Sequence, residues 1–335
     1  MKRSLLLLFL SVFALGLKAQ HIEVLQQGNP ASIRGLSVVD DKVAWISGSK
    51  GTIAITKDGG KTWDWQQVKG FEKSDFRDIE AFSSREAIIM SSGTPALILK
   101  TTDGGQNWKV NYKTIDTAVF LDAMDFSDRL NGYALGDPID GKFVLLQTKD
   151  GGERWEPFRK CPNALRDEAA FAASGTCLRV DKNKLVIVTG GSRSRLFEYS
   201  PSNNLWDYSP LPIISGKSSQ GAFSFASSSN GSLRVFVGGD YADDKKTDSV
   251  ASYITPYSNL IKSASQGPAG FQSCIEYISG ETFLATGTPG SNLTTDGGKT
   301  WTKIDDTSYN VCRKAKHGKL VLLAGNGGKI GIFKM

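Results

Sequence analysis

The chain has 335 residues, with 40 Lys and Arg against 34 Asp and Glu for a formal charge of +6. It holds 36 Gly but only two His, four Cys and four Met. That mild excess of positive charge excludes a nucleic-acid-binding reading. The lone His21 and His317, with no Cys pair at ligand spacing, argue against a dedicated metal site, and no cofactor is expected.

The first element is a leader. Met1-Lys2-Arg3-Ser4 is a short basic start, Leu5 to Leu17 is apolar apart from Ser11 and Gly16, and Ala19 offers a small residue for cleavage. This plan predicts a secretory signal over residues 1–19, too short to span a bilayer. No Cys follows it, which argues against a lipid anchor there. Without Lys2, Arg3 and Lys18, residues 20–335 carry 37 basic against 34 acidic side chains, or +3. They contain no polybasic run or amphipathic helix that argues for direct membrane insertion. The mature protein is expected in the periplasm or outside the cell.

Four segments then repeat almost residue for residue: Thr56 to Trp63, Thr101 to Trp108, Thr148 to Trp155 and Leu293 to Trp301. Each carries an Asp, a Gly two residues later and a Trp three beyond that: Asp58, Gly60 and Trp63; Asp103, Gly105 and Trp108; Asp150, Gly152 and Trp155; Asp296, Gly298 and Trp301. The aspartates are 45, 47 and 146 residues apart, so two further copies have lost the pattern. Ser200–Trp206 and Thr255–Ile261 are the candidates. A second periodicity gives the same count: β-rich runs end at Gly48, Gly93, Gly136, Gly190, Gly238, Gly287 and Gly325, which is seven units.

Each unit reads as four short strands; in the first these are Gly35–Val39, Val43–Ser47, Thr52–Thr56 and Thr62–Gln66. Four-stranded units at this period describe an all-β fold, a seven-bladed β-propeller filling residues 20–335 as one domain. The last unit ends at its third strand, Lys329–Lys334. The unpartnered run Ile22–Leu25 is therefore expected to supply its outer strand and close the ring. The one helix-like stretch is an insertion, Asn163–Ala173, before the fourth blade.

The repeated turn has a structural reading. An Asp in a tight turn accepts hydrogen bonds from nearby backbone N–H groups, the Gly supplies a positive φ, and the Trp buries a large ring. Spread round a ring, the four aspartates cannot converge on one substrate. The pattern resembles the Asp-box of sialidases and other secreted propellers. With seven units and Arg34-Gly35-Leu36 on the first inner strand, the chain looks most like the photosystem II assembly-factor family and its secreted bacterial relatives. The resemblance implies a non-catalytic propeller that holds a membrane-protein precursor or assembly intermediate, using an arginine patch to which Arg34 and Arg77 align.

Strand order places the Asp-boxes on one face and the Gly-ended loops, with the inner-strand starts, on the other. A ligand site is expected on the second face, and its candidate residues are Arg34, Arg77, Asp122, Asp137, Arg193, Arg195, Asp240 and Tyr241. The arginines suit bidentate capture of a carboxylate or peptide C-terminus. The function read from this is a binding platform for a protein or peptide partner.

The alternative is a carbohydrate-directed propeller, either a lectin-like binder or a sialidase-like glycosidase. It would use Arg34 and Arg77, Tyr241 or Tyr133 as nucleophile, and Asp122 or Asp137 as acid. Against it, the Pro of the sialidase entry motif is missing and no Glu is evidently paired with a Tyr. The cysteines leave two readings open: buried free thiols, or disulfides Cys274–Cys312 and Cys161–Cys177 in an oxidising compartment.

Overall fold

The computed structural model describes residues 20–181, 184–256 and 258–335; the leader expected over residues 1–19 lies outside them. Every regular element among the described residues is a strand, and no helix there is long and apolar enough to cross a membrane. Seven antiparallel sheets succeed one another along the chain, each running from an inner to an outer strand. Blade one is built from Ile33–Val38, Ala44–Gly48, Thr52–Thr56 and Asp64–Gln67, within two residues of the strands expected from sequence. The two degraded repeats take their expected places, as turns between the third and fourth strands of blades four and five.

Blades cohere because alternate residues of a strand face opposite neighbours. Trp45 packs with Phe76, Ile79, Ile89 and Leu97 of blade two. Its chain neighbour Ile46 packs with Leu322 and Leu323 of blade seven. Both side chains are fully buried, and each such burial contributes roughly 1.5–3 kcal/mol. A sheet apolar on both faces has no stable existence alone, and the ring of neighbours resolves that.

The ring closes as anticipated. His21–Gln26 pairs antiparallel with Ile330–Lys334, with Ile22 opposite Phe333 and Val24 opposite Gly331. The N-terminal strand is thus the outer strand of blade seven.

The insertion before blade four departs from expectation. Asn163–Ala173 forms no helix; it is an extended strap whose Glu168–Ala169 pairs with Gly190–Gly191. Its alanine-rich composition favours a helix, but tertiary partners claim its backbone. Arg77 donates to the Ala172 carbonyl and Arg34 to that of Ala173, both at 3.4 Å. Arg313 donates to the Ser174 carbonyl at 3.3 Å. Ser174 Oγ donates to the Ser273 carbonyl at 2.8 Å, and Thr176 Oγ1 bonds Ser224 Oγ at 2.5 Å. Residues 172–176 therefore touch blades one, two, five, six and seven. A five-residue segment reaches five blades only at the axis, so it plugs the central channel.

The axial pocket as candidate functional site

The Asp-boxes are inter-blade staples. In the first, Thr56 Oγ1 accepts the Gly60 N–H at 2.9 Å and donates to Asp58 at 2.8 Å. Asp58 accepts the Thr62 N–H at 2.9 Å and its hydroxyl at 2.6 Å, and Trp63 Nε1 donates to the Gly60 carbonyl at 3.1 Å. The bond to the Thr62 side chain leads the interactions that hold the Asp58 carboxyl down at about 2. In the second box the Asn107 backbone N–H leads, and Asp103 is likewise held at about 2. Asp150 and Asp296 accept the equivalent N–H groups of Arg154 and Thr300, each at 3.0 Å. Trp155 departs from the pattern, its ring nitrogen having no hydrogen-bond partner.

The second glycine of each box abuts the preceding blade. A methyl group on Gly105 would meet Trp45 and Ile53 of blade one, on Gly152 Ile88 of blade two, and on Gly298 Val235 of blade five. The positive φ of Gly60, 90°, is typical of the four. These aspartates are spent on their own turns and converge on no common point.

On the opposite face, a cavity of about 460 Å³ lies over the plug. It gathers Arg34, Arg77, Asp122, Asp137 and Tyr241, five of the eight candidates, around strap residues 169–173. The first three come from the starts of the inner strands of blades one to three. Asp137 and Tyr241 come from the ends of second strands and the loops that follow them.

The pocket has three chemically distinct walls. On the first, Arg77 Nε pairs with Asp75 at 2.8 Å, and its guanidinium lies 5.8 Å from the Phe120 ring centre. Arg34 has no ion-pair partner among the described residues; burial, then the adjacent positive charge of Arg77, lower its proton affinity. Two neighbouring guanidinium groups with one carboxylate between them favour an incoming anion.

The second wall is acidic. Asp122 is 1 % exposed and neither carboxyl oxygen has a hydrogen-bond partner; the nearby Ala172 N–H acts on it without completing a bond. Burial, then the charge of Asp137, pushes it well above the carboxylate range. Asp137 accepts the Ala170 N–H at 3.1 Å, and burial pushes it up to about 6. The third wall is aromatic: Phe171 stacks on Phe223 at 3.7 Å, with Phe271 and the exposed Tyr241 edge-on to Phe223.

Three candidates fall elsewhere. Arg195 is buried in blade four, where it binds Glu168 of the strap (Nε to Oε1, 2.8 Å) and lies over Phe197 and Tyr208. It anchors the strap, with its Nη2 also donating to the Asn163 carbonyl at 3.0 Å, away from the pocket. Arg193 is exposed but outside the pocket. Asp240 is buried and accepts Gln220 Nε2 at 2.9 Å and the Ala242 N–H at 3.0 Å, tying down its own loop.

Of the two readings left open for the cysteines, the structure holds free thiols at all four. Cys161 follows the outermost strand of blade three, whereas Cys177 lies at the hub beside the plug, the far radial end. Cys274 and Cys312 are on neighbouring inner strands, and Cys274 Sγ donates to the Cys312 carbonyl at 3.3 Å.

Sequence reading marked the insertion but not its extended course, and of the aromatic wall it named only Tyr241. Aligning the units on their inner-strand starts would have exposed Phe120, Phe223 and Phe271, each within three residues of its blade's first inner-strand residue. Nothing local marks Phe171. The sialidase-like constellation is not assembled either: no Glu lines the pocket beside Tyr241, and Tyr133 packs against Phe158 between blades.

The channel's other mouth is larger, about 630 Å³, and was not anticipated. Its charges are largely mutually satisfied: Arg179 pairs with Glu276 at 3.1 Å and Lys316 with Glu80.

Comparison with known proteins bears on this geometry. The family described as photosynthesis system II assembly factor YCF48 matches residues 18–114, the N-terminal strand and the first two blades. The chain is an Asp-box propeller similar to the photosystem II assembly factors. It is 28 % identical over 191 residues to the photosystem II assembly lipoprotein Ycf48 of Synechococcus sp. (strain CC9902), covering 55 % of this chain and 50 % of that protein. It is 36 % identical over 67 residues to the chloroplastic photosystem II stability/assembly factor HCF136 of Arabidopsis thaliana, covering 19 % of this chain and 16 % of that one. The matched region thus spans half or less of either relative's length. A solved structure described as YCF48 bound to D1 peptide superposes with a TM-score of 0.66 at 17 % identity, covering 95 % of this chain and 98 % of that one. At that identity the likeness is one of fold. The matched family region of this assembly-factor-like propeller includes both Arg34 and Arg77.

Proposed function

We propose that this assembly-factor-like propeller is an exported, non-catalytic platform. It holds a protein or peptide partner in the axial pocket, in the service of assembling or stabilising a membrane or envelope protein complex. The observation that carries the reading is the convergence of Arg34 and Arg77, neither spent in the Asp-box scaffold, in one cavity on the face away from the Asp-boxes. The description of a similar fold with a bound peptide supports it. Export to the periplasm or beyond the cell is supported by the basic and apolar plan of residues 1–19 and by a relative described as a lipoprotein.

The test is a native pull-down with Arg34→Ala/Arg77→Ala, with Arg34→Lys/Arg77→Lys as the charge-preserving comparison. Thermal unfolding of each variant is followed because both arginines also hold the strap. A partner recovered by the parent should be lost with the alanine pair and partly regained with the lysine pair. Recovery of the same partner by a well-folded alanine variant would remove the pocket from the proposal.

A further inference from the structure

The arginine wall accounts for only half of the pocket's polarity. Facing the cavity is Asp122, a carboxyl group more than nine-tenths buried with neither oxygen hydrogen-bonded. A buried polar group without a partner is costly, and natural structures seldom keep one without a use. Beside it stands Asp137, one oxygen occupied by the Ala170 N–H and the other uncommitted. Ionising both would set two negative charges side by side, which helps keep the proton on Asp122, and a cation placed between them lets both ionise. The rings of Phe171, Phe223, Phe271 and Tyr241 complete the surround, and aromatic faces favour a positive group over bulk water.

Resting on the platform reading above, we infer that the Asp122–Asp137 wall is an ammonium subsite. The segment bound in the pocket then carries a primary amine within one residue of the carboxylate held by Arg34 and Arg77. A chain ending in lysine has this chemistry: its terminal carboxylate meets the arginines while its stem crosses the aromatic wall and its ammonium reaches the acids. The cavity of about 460 Å³ has room for one such side chain with its terminus. A site built for an anion and an apolar residue alone has no need of an unpartnered buried carboxyl group.

The test uses acetyl-Gly-Gly-Lys and acetyl-Gly-Gly-norleucine, both with free carboxylates, titrated calorimetrically into the full mature chain. Norleucine keeps the length of the lysine stem and removes the charge. The lysine peptide should bind about tenfold more tightly, as one charge-assisted hydrogen bond supplies. Asp137→Asn and Asp122→Asn should each bring the ratio of the two affinities to within about twofold. Amidating the lysine peptide should abolish its binding, since the arginines then lack their anion. Equal affinities in the parent chain, both lost in Arg34→Ala/Arg77→Ala, would overturn the ammonium subsite and leave the platform reading standing. An unchanged lysine preference in Asp137→Asn, or no binding of either peptide, would also overturn it. Should Asp122→Asn unfold the hub, the parent ratio and Asp137→Asn still decide.

Discussion

At the scale of single residues, the Asp-box threonine carries more than its composition suggests. Thr294 is 1 % exposed; its hydroxyl accepts the Gly298 N–H at 3.0 Å and donates to Asp296 at 2.8 Å. Thr294→Val keeps the shape and leaves that N–H unsatisfied in the interior, a cost of about 1–3 kcal/mol. Urea unfolding should register the loss while partner capture stays as in the parent chain, because the box lies across the disc from the pocket. This role was readable in the sequence, since the repeat fixes each Thr, Asp, Gly and Trp relative to the others. The role of Arg195 was not. Its partner Glu168 lies 27 residues earlier in a segment of no recognisable pattern, and a surface arginine and a buried ion-paired one look alike until the chain is folded.

At the scale of elements, the strap decides the character of the hub. Gly175 sits at its tip with φ +67°, and a methyl group there would meet the Asp78 carboxyl at 2.3 Å. Asp78 in turn accepts the N–H groups of Ile79 at 2.8 Å and Met124 at 2.7 Å, joining blades two and three. Gly175→Ala should therefore lower stability by about 1–3 kcal/mol, from backbone strain plus the displaced carboxyl. It should also loosen the floor of the axial pocket, seen as faster amide exchange over residues 169–176. Unchanged melting and exchange would mean that the plug is not held as described. The strap reads as a helix in sequence because alanine dominates local propensity. Its carbonyls are claimed instead by arginines from three blades up to 139 residues away in the chain, a demand that no local window contains.

At the scale of the whole molecule, four aspartates of blades two and three, on the inner strands or beside them, set the response to pH. Burial is the leading cause in each: it pushes Asp78 up to about 7, Asp125 and Asp137 up to about 6, and Asp122 well above the usual range. The folded chain holds these protons more tightly than the unfolded chain. Their contribution is therefore complete below about pH 4 and declines as the pH rises through 6 to 7. Asp58 and Asp103, both held at about 2, act in the opposite sense, their contribution being lost as the pH falls from about 4 towards 2. The unfolding free energy should be greatest in the mildly acidic range and fall towards neutrality, and Asp78→Asn should flatten that fall. A profile that rises from pH 5 to 7.5 in the parent chain would contradict this account.

The division between what was legible and what was not follows the range of the forces involved. Blade number, strand order, closure by His21–Gln26 and the face opposite the Asp-boxes were all determined by the sequence alone. The blades, their strand order and their turns recur every forty to fifty residues, and repetition turns a weak local signal into a firm one; the closure follows because that count leaves one outer strand missing and one run unpartnered. Which of the eight candidates share a pocket, what plugs the channel, and which acid is left without a partner were decided only by the tertiary structure. Those features belong to single, unrepeated residues brought together at the axis, where seven blades converge and burial sets the charge state of each group.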